Sequence, residues 1–149
     1  MDWWRSLRHK LELLRQLSLR DWLTLVQAWW ALFAFHLALH WVSLERLEDF
    51  IRAASKREPV PPDALVWARQ RQKLVSQAAR LHLLSMTCLP RAFTLHWMLS
   101  KLAIPSQLCI GMQKTYQGMY AHAWVVVEGE PIGEPEDINE RFMILQGAG

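Results

Sequence analysis

Cys88 and His122 are the residues through which this chain can do covalent chemistry. Cys88 stands directly before Leu89-Pro90-Arg91-Ala92-Phe93, and Leu95, Met98, Leu99 and Leu102 continue the apolar pattern at helical spacing. Proline is tolerated in a first helical turn, where its missing N–H had no partner anyway, so the pattern predicts a helix opening at Cys88. Unpaired N–H groups and the positive end of the helix dipole then face the thiol and favour its thiolate. His122 lies in the strand-like run Ala121-His122-Ala123-Trp124-Val125-Val126-Val127. A thiol at a helix start and an imidazole on a strand make a nucleophile and its base, the imidazole keeping the proton for a leaving amine. The plainer reading of the same pair is a buried structural cysteine and a core histidine. Cys109 falls mid-strand, out of phase with Leu108, Ile110 and Met112, and is given no catalytic role.

The elements that must position these two residues follow from periodicity. Residues 2–20 are basic and amphipathic, with Leu7, Leu11, Leu14 and Leu17 on one helical face. Trp22 to Leu44 carries no formal charge and is long enough to cross a bilayer, which takes about 20 apolar residues. Thr24, Gln27, His36, His40 and Ser43 interrupt it, and Ala28, Ala31, Ala34 and Ala38 suit close helix contact, so a buried or interfacial helix is expected. Trp3, Trp4, Trp22, Trp29, Trp30 and Trp41 crowd this region, and core filling is the expected use, with a membrane or protein interface as the alternative. Further helices are predicted over 44–54 and 64–83. Lys56-Arg57-Glu58-Pro59-Val60-Pro61-Pro62 separates them, and Asp63 is a plausible N-cap. After Ile104-Pro105 the period falls to 2. Strands are predicted over 107–113 and 120–128 and near Pro131-Ile132, with turns at Tyr116-Gln117-Gly118 and Gly129. Helices first and a small antiparallel sheet after them is an α+β layout. Two regions are expected, a Trp-rich helical 1–62 and a core of 63–149, forming one compact unit.

Composition narrows the function. The chain has 149 residues and a formal net charge of +3, enough for one domain with a true core. Basic residues gather in 52–80 and acidic ones in 128–141, to be read as solvated faces or as a surface for an acidic peptide, a partner protein or anionic lipid. The cations form no dense run and no recognition module, so nucleic acid is not an expected partner. Two cysteines make no disulfide framework, the six histidines show no zinc spacing, and His36 and His40 read as structural. Charges from Arg5 to Arg15 break any secretory h-region, leaving the cytoplasm as the expected location, with peripheral membrane contact as a further expectation. No Walker-type phosphate loop occurs, and no cofactor is expected.

Cys88-Leu89-Pro90-Arg91-Ala92, followed by Ile110-Gly111 and His122-Ala123-Trp124-Val125, resembles the transglutaminase-like cysteine proteases of lasso-peptide biosynthesis. The closer resemblance is to the stand-alone leader peptidase of that pathway, elsewhere the C-terminal half of a fused maturation protein. It covers roughly residues 64–145, and the helical N-terminal region fits in length and character. The resemblance implies a papain/transglutaminase-type fold with the nucleophile helix packed on a small antiparallel sheet, and a Cys-His-Asp triad that removes the leader of a ribosomal precursor peptide. Cys88 and His122 carry over directly. The family's aspartate falls where this chain has Ile132-Gly133-Glu134-Pro135, so Glu134 is assigned to orient His122, with Asp137 as the alternative. Implied partners are the precursor peptide, a small winged-helix-like leader-recognition protein, and an asparagine-synthetase-like cyclase that would be the consumer of any ATP. Trp124 shares a strand face with His122 and is expected in the core. The competing reading is a non-catalytic scaffold that presents the precursor to the cyclase or an exporter. A third is acyl transfer to another acceptor.

Overall fold

A computed structural model of the chain describes residues 18–146. The amphipathic stretch expected before Ser18 lies outside the described residues, as do Trp3 and Trp4. Helix α1 (Leu19–Trp41) starts at a reciprocal cap: the Ser18 hydroxyl accepts from the Asp21 N–H, and the Asp21 carboxylate accepts from the Ser18 N–H. Helices α2 (Leu44–Ala54), α3 (Ala64–Leu81) and α4 (Cys88–Ser100) follow. Four strands come next, β1 (Gln107–Thr115), β2 (Gly118–Val127), β3 (Glu130–Pro131) and β4 (Met143–Gln146), with the single-turn helix α5 (Ile138–Arg141) before β4. The sheet is antiparallel throughout, in the order β3-β2-β1-β4, so the architecture is α+β.

α4 is the centre of the molecule. Ala92, Phe93, Leu95, Met98 and Leu99 are all buried, because helices cover one side of α4 and the sheet the other. α1 reaches it with Leu25, Ala28, Leu32 and Phe35, and the Phe35 ring stacks on Phe93 at 5.7 Å. Polar side chains tie α1 to α3: Gln70 donates to Asp21 at 3.0 Å and Arg71 to Thr24 at 2.7 Å. Leu108, Ala123, Val125 and Val127 turn the inner sheet face toward the helices. The outer face carries Cys109 and Trp124, roofed by Ile138 and Phe142. Cys109 is thus out of phase with its apolar neighbours, yet buried on the second face.

Several details depart from expectation. α3 stops at Leu81 rather than residue 83, and Leu83 is exposed. Asp63 stands at the N-cap of α3 but its side chain makes no capping bond. Core filling describes Trp29, which is half-buried against the core, but not the other tryptophans of α1: Trp22, Trp30 and Trp41 are 48 %, 60 % and 90 % exposed. They share an outward stripe with Leu19, Leu23, Val26 and Leu37. Helix periodicity marks apolar positions without saying which of two apolar faces meets the core. α1 is long and apolar enough to cross a membrane, with a mean hydropathy of 1.4 over its most apolar window, and this suits a soluble or a membrane-associated protein alike. α5 and β4 were not anticipated.

Candidate active site

Cys88 is the first residue of α4 and is half-buried. Thr87 occupies the N-cap position without a side-chain capping bond, and Pro90 has no N–H to offer. The thiol therefore stands at the end of the helix where the leading N–H donors lie.

His122 is placed by the sheet. β3 pairs only with Val126 and Val127, so β2 has no strand beside it at His122 on that edge. The chain continues from β3 through Ile132, whose N–H donates to the Val125 carbonyl at 2.8 Å. Gly133 then turns it at φ +74°, a conformation that strains any side chain, and a Cβ there would also strike Gln72. Glu134 follows where the missing edge would have run, and its Oε1 accepts from His122 Nε2–H at 2.9 Å. Their side chains are only 17 % and 27 % exposed, so solvent screens the pair weakly.

The other faces of the imidazole are held by aromatic packing. Trp124 stacks on it at 6.0 Å and Tyr120 at 6.2 Å, while Phe142 lies tilted at 5.8 Å. Trp124 is buried as expected of a core residue, and it also packs against His122 and lines the cavity below. Its indole N–H donates to Asn139 at 3.1 Å, which fixes the stacking partner in turn. Gly111 pairs with His122 across the β1–β2 ladder, and a Cβ there would come within 2.8 Å of both Trp124 and Phe142. The close packing around the ring therefore requires glycine at this position.

Cys88, His122 and Glu134 line one cavity of about 100 Å³. With Nε2–H given to a carboxylate, the neutral ring carries its lone pair on Nδ1, and that atom is buried without a hydrogen-bond partner among the described residues. Asp137 does not line the cavity; it stands at the N-cap position of α5, where its carbonyl accepts from Glu140 and Arg141. Cys109 does not line it either, and burial pushes its thiol pKa up. Three further polar residues border the cavity and carried no role in the sequence reading: Gln72 and Ser76 on α3, and Arg91 on α4. The signals for Arg91 were its place in the Cys88–Ala92 motif and its i,i+3 spacing from Cys88, which puts both on one helix face.

A broader groove of about 650 Å³ adjoins the cavity and shares Gln72, Gly133 and Glu134 with it. Arg69 and Lys73 border it from α3, and Glu130 and Glu136 from the segment around β3. Arg69 and Glu130 form an exposed ion pair, so the basic and acidic blocks of the sequence meet here. On another part of α4, His96 bonds Ser106 at 2.8 Å, and burial lowers its pKa to about 4.

Comparison with known proteins agrees with this architecture. No curated protein and no solved structure matches the chain. A sequence profile of the Transglutaminase-like superfamily matches residues 29–146, from within α1 to the end of β4. Cysteine peptidases are common in that superfamily, and such a domain suits cysteine-peptidase or transglutaminase-type activity. The α4 helix on its antiparallel sheet and the profile match lead to one assignment: the chain belongs to the transglutaminase-like superfamily.

Proposed function

We propose that the protein is a cysteine peptidase that removes the leader from a ribosomally made lasso precursor peptide, through a Cys88–His122–Glu134 triad and a thioester intermediate. The observation that carries the peptidase reading is the His122–Glu134 bond of 2.9 Å, which leaves Nδ1 as the basic nitrogen in the cavity shared with Cys88. The choice of a lasso precursor rests on the resemblance around Cys88-Leu89-Pro90-Arg91-Ala92 and His122-Ala123-Trp124.

In this reaction His122 Nδ1 takes the thiol proton and the Cys88 thiolate attacks the scissile carbonyl. The oxyanion of the tetrahedral adduct is held by leading N–H groups of α4. As the adduct collapses, the imidazolium gives its proton to the departing amine of the core peptide, and the leader remains as a thioester on Cys88. Water then loses a proton to Nδ1, attacks the thioester and releases the leader as a carboxylic acid. Glu134 accepts from Nε2–H throughout and stabilises the imidazolium of both steps. The groove between Arg69 and Glu136 gives an extended peptide a polar approach to the cavity. Delivery of the leader is assigned to a winged-helix-like recognition protein, and ring closure to an asparagine-synthetase-like cyclase.

The scaffold reading draws on an altered acid position, and the bond between Glu134 and His122 favours the peptidase reading over it. Hydrolysis and acyl transfer share every step up to the thioester and differ in the acceptor. Cleavage in ¹⁸O-water separates them: hydrolysis puts one heavy oxygen into the new leader carboxylate, whereas a leader joined to an amine, with no heavy oxygen, contradicts the peptidase reading.

A further inference from the structure

The cavity holds a cation that the triad does not use. Arg91 lines it one turn beyond Cys88, and among the described residues no carboxylate lies within ion-pair distance of its guanidinium. The one acid lining the cavity, Glu134, is bonded to His122. Arg91 is placed rather than loose: its Nη2 donates to the Ser76 hydroxyl at 3.0 Å, and Gln72 Nε2 donates to the same oxygen at 3.1 Å. Gln72 is itself seated against Gly133, where no side chain fits. A guanidinium has five N–H donors in a planar fork, and one hydrogen bond leaves most of them for a ligand that accepts in pairs.

We propose that Arg91 is a specificity-determining residue that binds the carboxylate of an acidic side chain on the substrate, at or next to the residue whose carbonyl Cys88 attacks. The inference rests on the acyl chemistry proposed above. Cys88 and Arg91 line the same cavity of about 100 Å³, and one extended residue spans about 3.3–3.6 Å, so a carboxylate on Arg91 belongs within about one residue of the thioester. Space agrees: about 100 Å³ is near three times the roughly 30 Å³ share of a water, enough for a carboxylate on a short stem.

The test compares alkylation of Cys88 by iodoacetate, which carries a carboxylate, and by neutral iodoacetamide, read by peptide mapping so that Cys109 does not contribute. In each case the thiolate forms a C–S bond as iodide leaves. The iodoacetate-to-iodoacetamide rate ratio should fall about tenfold in Arg91→Gln, the loss of one charge-assisted contact, while Arg91→Lys, which keeps the charge without the paired donors, should lie between wild type and Arg91→Gln. A structural role for Arg91 between α3 and α4 slows both reagents alike and leaves the ratio unchanged, which overturns the inference while the peptidase reading stands. A folded protein whose Cys88 resists both reagents removes the peptidase reading and the inference together. The origin of the carboxylate is read by protection against iodoacetamide. N-acetylaspartate amide should protect Cys88 and N-acetylasparagine amide should not. Protection by N-acetylglycine alone overturns the side-chain assignment in favour of a terminal carboxylate.

Discussion

Replacing Glu134 by Gln keeps the size of the side chain and removes its charge. His122 Nε2–H then faces a neutral amide, and the imidazolium formed in both chemical steps loses its anionic partner. A hydrogen bond to a charged group is worth about 1.5–3 kcal/mol, and this pair lies at 2.9 Å with both side chains mostly out of water, so the upper part of that range applies. A loss of about 2–3 kcal/mol in the transition state is a roughly 30–150-fold drop in kcat/KM. The drop should fall on kcat, because the contact strengthens only when the ring is charged. Glu134→Asp withdraws the carboxylate by one methylene and should fall between wild type and Gln. Asp137→Asn is the control, because Asp137 meets α5 through its carbonyl and lies outside the cavity. Cleavage of a lasso precursor peptide in the presence of the proposed recognition protein, followed by chromatography of the leader, gives the rates. A Glu134→Gln enzyme within about threefold of wild type, beside a strongly impaired Asp137→Asn, would refute the reasoning and move the orienting role to Asp137.

Three further outcomes follow from packing and charge. Gly111→Ala places a methyl within 2.8 Å of Trp124 and Phe142 and should cost about 1–3 kcal/mol of stability, measured by urea unfolding, with a further loss of activity because both rings pack on His122. Leu32→Ala should cost about 2–5 kcal/mol because Leu32 is fully buried, whereas Trp41→Ser on the outward stripe should stay within about 0.5 kcal/mol; equal costs would mean the two faces of α1 are misassigned. His96 has a folded pKa of about 4 and an unfolded one of about 6.5, so below the unfolded value the unfolded chain binds more protons and stability is lost as pH falls. Between about pH 6.5 and pH 5 this amounts to about 1.5 kcal/mol, so acid destabilisation in His96→Gln should be shallower than in wild type by that amount.

What the sequence disclosed follows the range of each interaction. The helix opening at Cys88 was legible because Pro90 and the apolar spacing act within a turn or two. The strand around His122 was legible because its alternation is local. The α+β order followed from the change of period after Ile104-Pro105. By contrast, Ile138–Arg141 is one turn and Met143–Gln146 is four residues, too short for a period to register. The choice between Glu134 and Asp137 stayed open because they lie only three positions apart and only the backbone after β3 decides which acid meets His122. Gln72 and Ser76 share one face of α3 at i,i+4 spacing, but only α3–α4 packing brings Arg91 to them, and no local pattern shows that. The exposed tryptophans of α1 were misjudged for a related reason: the helix is apolar on two faces, and the position of α4 selects the buried one.

The central claim is that Cys88 is the nucleophile of a peptidase. The most direct measurement is the intact mass of the products when the protein, the proposed recognition protein and a lasso precursor peptide are combined, with Cys88→Ala run in parallel. The account predicts leader-sized and core-sized fragments from wild type, and none from a Cys88→Ala protein that retains the wild-type unfolding transition. An intact precursor with wild type, or fragments that persist in Cys88→Ala, contradicts it.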